Sequence, residues 1–164
     1  MNIFLRTLTR FDNILGKAEA VVIIAMVGVM TVIVFLQVVY RYVLTQPLHW
    51  SEELARYLFV WLSILGATLA LQKRGHFGLD VLFQILPRQL KPTMTVFVHF
   101  LMGIVILVIL VQGMTLVQKT ALQDSPAMGI SMSWAYACLP VGGALMAIHL
   151  IVIFLKDWNN GKLE

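Results

Sequence analysis

The sequence predicts an all-α integral membrane protein with four transmembrane helices and short interfacial amphipathic helices. Three observations predict it. Apolar residues make up 60% of the chain and charged residues only 12%, against roughly 25% charged in soluble domains. The mean hydropathy is +0.87. Charged residues are also confined to a few places, and they leave four runs free of Asp, Glu, Lys and Arg: 20–40, 57–72, 92–118 and 125–155. A bilayer core needs about 20 apolar residues in a helix. Three of the runs reach that length unaided, and the second needs its flank. A cytosolic enzyme, a nucleic-acid binder and a disordered chain are excluded on these grounds. The single Cys138 excludes an internal disulfide framework and any multi-cysteine metal site.

In chain order, residues 3–15 come first. Ile3, Phe4, Leu8, Phe11 and Leu15 recur at helical spacing, which predicts a short amphipathic helix on the membrane surface. Arg6, Arg10 and Lys17 alternate with Asp12 and Glu19 before the first long run. That run is too long for the apolar region of a cleaved signal. The first span is expected at roughly 20–41.

The second span must begin before its charge-free run, because sixteen residues give only about 24 Å of helix. Ser51 is the expected N-cap, with Glu52 and Glu53 in the first turn, where carboxylates favour the helix dipole. That sets the span at 51–72. Glu52 and Glu53 stand four and three residues before Arg56, so either can pair with it along the helix. Glu52, Arg56, Ser63, Ala67 and Ala70 fall on one stripe with Gly66 beside it. Small residues at this spacing let another helix approach closely. The stripe is expected either at a contact with another protein or in packing within this chain's own bundle.

Residues 78–86 are expected as a second interfacial helix, with Leu79, Leu82, Phe83 and Leu86 on one face and Asp80 opposite. The third span is placed at 88–118 and the fourth at 132–156. Pro140 is expected to kink the fourth, and Gly142, Gly143 and Ala147 to permit tight packing beyond it. The whole of 1–164 forms a single membrane domain.

Nine Lys and Arg residues fall on the side holding both termini and the middle loop, against three on the other. This places both termini in the cytoplasm. Tyr40, Tyr42, Trp50, Trp134 and Tyr136 gather at the outer helix ends and Trp158 at the inner end of the fourth span. Amphipathic rings prefer these depths. The basic residues are scattered at helix ends, so no nucleic-acid surface is expected; the partner that composition itself implies is lipid. No metal or catalytic constellation is legible.

The run Tyr40-Arg41-Tyr42, then Trp50-Ser51-Glu52-Glu53-Leu54-Ala55-Arg56, Trp61, Leu65-Gly66-Ala67, His76 and Leu79-Asp80, closely resembles the signature of the small membrane subunit of TRAP transporters, the DctQ-like or Q subunit. Gly129-Ile-Ser-Met-Ser-Trp134-Ala-Tyr136 and Pro140 are similar to the start of that family's fourth helix. The resemblance implies a bacterial inner-membrane protein that is not an enzyme and has no cofactor. It implies a small permease subunit of a tripartite, binding-protein-dependent, sodium-coupled importer of organic acids such as C4-dicarboxylates or sialic acid. It implies a scaffold role beside a large membrane subunit that carries the sodium and substrate sites, and a periplasmic substrate-binding protein as third partner. Arg41, Trp50, Glu52, Glu53, Arg56, Trp61, Gly66, Ala67 and His76 are then expected in internal structure or at the subunit contact.

The alternative is a haem-bearing four-helix membrane anchor of an electron-transfer complex. His99 lies about 12 Å along its helix from Lys91, and His149 about 10 Å from Lys156. The two are at similar depth, as paired haem ligands require. Interhelical hydrogen bonding is the plainer role for both.

Overall fold

The computed structural model describes residues 3–73, 87 and 90–159. Its helices are α1 (Ile3–Tyr42), α2 (His49–Gln72), α3 (Lys91–Thr120), the single turn α4 (Ser133–Tyr136) and α5 (Cys138–Asn159). The spans Leu5–Tyr42, His49–Gln72, Lys91–Thr120 and Ser133–Asn159 are each long and apolar enough to cross a membrane. The expected interfacial helix at 78–86 lies outside the described residues.

Helix α1 differs most from expectation. Residues 3–15 are not a separate surface helix but the opening turns of one 40-residue helix. The buried and half-buried positions explain the continuity. Asp12, Gly16, Glu19, Ile23, Met26, Met30, Ile33 and Gln37 recur at alternating spacings of four and three. That is the seam a helix uses to pack along a neighbour at a shallow angle. The charges at Asp12 and Glu19 do not end the seam. They are part of it, at 2% and 5% exposure.

Helix α2 starts at His49, two residues before the expected N-cap. The N-cap position is Leu48, with no side-chain cap. Ser51 sits fully buried in the first turn and its hydroxyl donates to the Leu48 carbonyl at 2.7 Å. Serine here satisfies an acceptor and not the orphan amides of a helix start.

Helix α5 is the hub. It packs against α3 and α2 and also reaches α1, whose main neighbour is α2. Its two adjacent glycines serve two different neighbours. A Cβ on Gly142 would lie 2.1 Å from Ile64 Cγ2 of α2, and one on Gly143 would lie 2.8 Å from Leu110 Cγ of α3. Close approach on both flanks therefore requires glycine at both positions. Leu71, Ile106, Met146 and Ile153 form the core, with Met102, Ile109 and Leu110 around them. The fourth span is interrupted at Ala137, three residues before Pro140. Proline has no N–H for the Tyr136 carbonyl, so the ladder is broken there.

Most large apolar side chains on α1 and α3 point away from the bundle, including Ile24, Phe35, Phe100 and Leu107. Tyr42, Trp50, Trp134 and Trp158 are exposed near the helix ends. Lipid is the medium such a surface suits.

Candidate functional site

The expected site residues divide into an inward set and an outward set. On the inward side, Glu53 does not pair with Arg56. Its Oε1 accepts from the Tyr57 hydroxyl one turn on. Its Oε2 accepts from the backbone amides of Ala127 and Met128, at 3.0 and 3.2 Å. Those amides belong to the loop between α3 and α4, which closes on itself through Ser125 N–H to Ile130 O at 2.8 Å and Met132 N–H to Gln123 O at 2.8 Å. Gly129, at φ +64°, makes the reversal without the strain a side chain would bring. Trp61 then donates from Nε1 to the Trp134 carbonyl at 3.1 Å. The two sequence stretches that carried the resemblance are thus fastened to each other. Glu53 and Trp61 of α2 hold the loop and first turn that lead into α5.

On the outward side are Glu52, Arg56, Ser63, Ala67 and Ala70, all exposed, with Phe59 among them at 59% exposure. The buried residues of α2 are Ser51, Leu65, Thr68 and Leu71, on other sides of the helix. Packing within the chain's own bundle is therefore not what the small-residue stripe serves. A Cβ on Gly66 would meet nothing within 4 Å, and the same holds for Gly28 of α1. Among the described residues no ion pair joins Arg56 to either glutamate. A groove of about 600 Å³ runs beside the stripe between α1 and α2, lined by Ile23, Val27, Met30, Thr31, Val34, Phe59, Leu62 and Ser63.

Arg41 closes the last turn of α1, with its guanidinium carbon 5.7 Å from the centre of the Tyr42 ring. Trp50 is 40% exposed at the start of α2. His76 lies outside the described residues.

The histidines do not favour the haem reading. His149 is fully buried and both of its ring nitrogens are engaged, Nδ1 with Asp12 Oδ1 at 2.6 Å and Nε2 with Glu19 Oε1 at 2.9 Å. His99 places Nδ1 on the Thr95 carbonyl at 2.7 Å and Nε2 3.6 Å from Asp157 Oδ2. An axial ligand needs a free ring nitrogen. Sequence reasoning missed Asp12, Glu19, Thr68 and Gln72 as the groups gathered around His149. One signal could have found the first two: Asp12, Gly16 and Glu19 continue the Ile23 to Ile33 seam backwards in register.

The fold and these surfaces define a multi-pass helical membrane component, packed against itself on one side and open on another. Residues 30–160 match the family of the DctQ component of tripartite ATP-independent periplasmic transporters, and the chain belongs to it. SiaQ, the sialic acid TRAP transporter small permease protein of Vibrio cholerae, is 28% identical over 84% of this chain and 79% of its own length. The sialic acid TRAP transporter permease protein SiaT of Haemophilus influenzae is 32% identical over 79% of this chain but only 21% of its own length. The isethionate TRAP transporter permease protein DctMQ of Oleidesulfovibrio alaskensis is 31% identical over 77% of this chain and 21% of its own. The chain thus spans about a fifth of the two long permeases and most of the small one.

Proposed function

We propose that this chain is the small permease subunit of a binding-protein-dependent, sodium-coupled TRAP importer of organic acids, of the sialic acid or C4-dicarboxylate kind. It acts as a non-catalytic scaffold for a large membrane subunit. Relatives named for sialic acid and C4-dicarboxylate support the substrate class. Long permeases that contain a segment like this chain support the partner. The nine-to-three split of basic residues supports termini in the cytoplasm, the side on which Asp12, His149 and Lys156 gather.

The observation that carries the proposal is the open face of α2. Arg56 stands about 9 Å along the helix from Trp50. A charge at that depth, without an ion-pair partner among the described residues, is costly unless another group meets it. Ser63, Gly66, Ala67 and Ala70 below it offer a low wall on which a helix can pack closely. The groove beside it is apolar apart from Thr31 and Ser63. A transmembrane helix of the large subunit, carrying an acceptor for Arg56, fits this face.

A photo-crosslinking amino acid tests it. At Ala67 it should capture the large subunit in native membranes; at Ile104 on the exposed side of α3 it should not. Capture from Ile104 alone would move the contact to another face.

A further inference from the structure

We propose that Asp12, His149 and Glu19 form a proton-holding site: a charged imidazolium clamped between two carboxylates, which staples α1 to α2 and α5. The argument rests on counting donors. A neutral imidazole has one N–H donor and one acceptor, and an ionised carboxylate only accepts. Nδ1 lies 2.6 Å from Asp12 Oδ1 and Nε2 lies 2.9 Å from Glu19 Oε1. Between two ionised carboxylates, two such contacts need two ring protons, one more than a neutral imidazole brings; were Asp12 or Glu19 a neutral acid instead, one ring nitrogen would carry no proton. All three side chains are buried, at 0%, 3% and 5% exposure, so water does not supply the missing donor.

The surroundings agree with a positive His149. From α2 come polar groups without charge: the Thr68 hydroxyl, 2.6 Å from Glu19 Oε2, and the Gln72 amide, which donates to the Asp12 backbone carbonyl. From α5 comes Lys156, whose Nζ is 3.7 Å from Asp12 Oδ2. From α3 comes His99, whose Nε2 is directed at Asp157 of α5. Two carboxylates, an imidazolium and an ammonium make the cluster neutral. Two carboxylates and a neutral imidazole would leave a net negative charge in a desolvated site. No buried side-chain nitrogen or oxygen among the described residues is left unpaired.

The geometry also says what the clamp does. Asp12 and Glu19 are two turns apart on α1, and His149 holds both. The imidazolium therefore fixes α1 against rotation as well as against separation. Gly16 lies between them, and a Cβ there would strike the Gln72 side chain. The same α1 forms one wall of the groove with α2.

The direct test is nitrogen-15 NMR of the full chain, histidine-labelled and combined with unlabelled large subunit in lipid nanodiscs at neutral pH. Single Gln replacements at His49, His76 and His99 assign their signals, leaving His149. Both of its ring nitrogens should carry a proton, and Glu19→Gln should convert one of them to the unprotonated form. An unprotonated ring nitrogen in the native chain, or double protonation that persists in Glu19→Gln, overturns the proposal. This readout does not depend on where the large subunit docks. As a second arm, His149→Gln should lower the thermal midpoint and the yield of assembled complex, and adding Glu19→Gln should restore part of both. If the double variant is no better than the single one, charge balance is not what the site provides.

Discussion

Glu53 shows how spacing along one helix can miss a motif residue's partners. Its spacing on α2 admits Arg56, but its oxygens are taken by Tyr57, Ala127 and Met128. Partners from 74 and 75 residues away are invisible to spacing along one helix. Glu53→Ala should therefore raise hydrogen exchange at the Ala127 and Met128 amides, while Glu53→Gln, which keeps an acceptor oxygen, should raise it less. Equal protection in all three would show that the carboxylate does not hold the loop. Arg56 makes the opposite prediction. It is exposed and forms no ion pair within the described residues, so Arg56→Ala should leave the thermal stability of the isolated chain unchanged. Its loss should weaken assembly with the large subunit by about tenfold, the scale of one interhelical polar contact of roughly 1–2 kcal/mol in a membrane. Unchanged co-purification would place the guanidinium at the lipid headgroups, with its stem lying along the helix.

The helices themselves were largely legible, because in a chain this apolar the charges mark where spans stop. Their ends were less so. Taking Glu19 as the inner edge of the first span split α1 in two, yet the seam runs through that residue to Asp12. Desolvated charges that are paired across helices leave no trace in a hydropathy profile. The tight packing expected at Gly142 and Gly143 is present, and two helices divide it. Gly142→Ala should lower the stability of the chain by about 1–3 kcal/mol, the usual cost of overpacking, read as a fall in thermal midpoint in detergent. Gly66→Ala, with open space before it, should not. If the two variants fall together, the α2–α5 contact is looser than these distances require. For the four helices the charge pattern was enough. For the site it was not, since Glu53, Trp61 and His149 act through partners from other helices and loops.

At the scale of the whole molecule, the chain is tied to itself at both ends of the bundle. The buried ionisable groups at one end are tied to one another, and the loop at the other end is fastened by Glu53 and Trp61. The α1–α2 face combines a charge, small residues and a groove. Topology at this scale is open to cysteine labelling with an impermeant reagent on a Cys138→Ser background. Positions in 44–49 and 121–128 should react from outside, and cysteine placed at Gly161 should not; labelling at Gly161 from outside would invert the orientation.

On the proposed function, this chain moves no substrate but is required by a subunit that does. The measurement that meets it most directly is uptake into liposomes with a sodium gradient and the cognate binding protein outside. This chain alone should give none, the large subunit alone little, and the two together full uptake. Full sodium-driven uptake by the large subunit and binding protein without this chain would contradict the account.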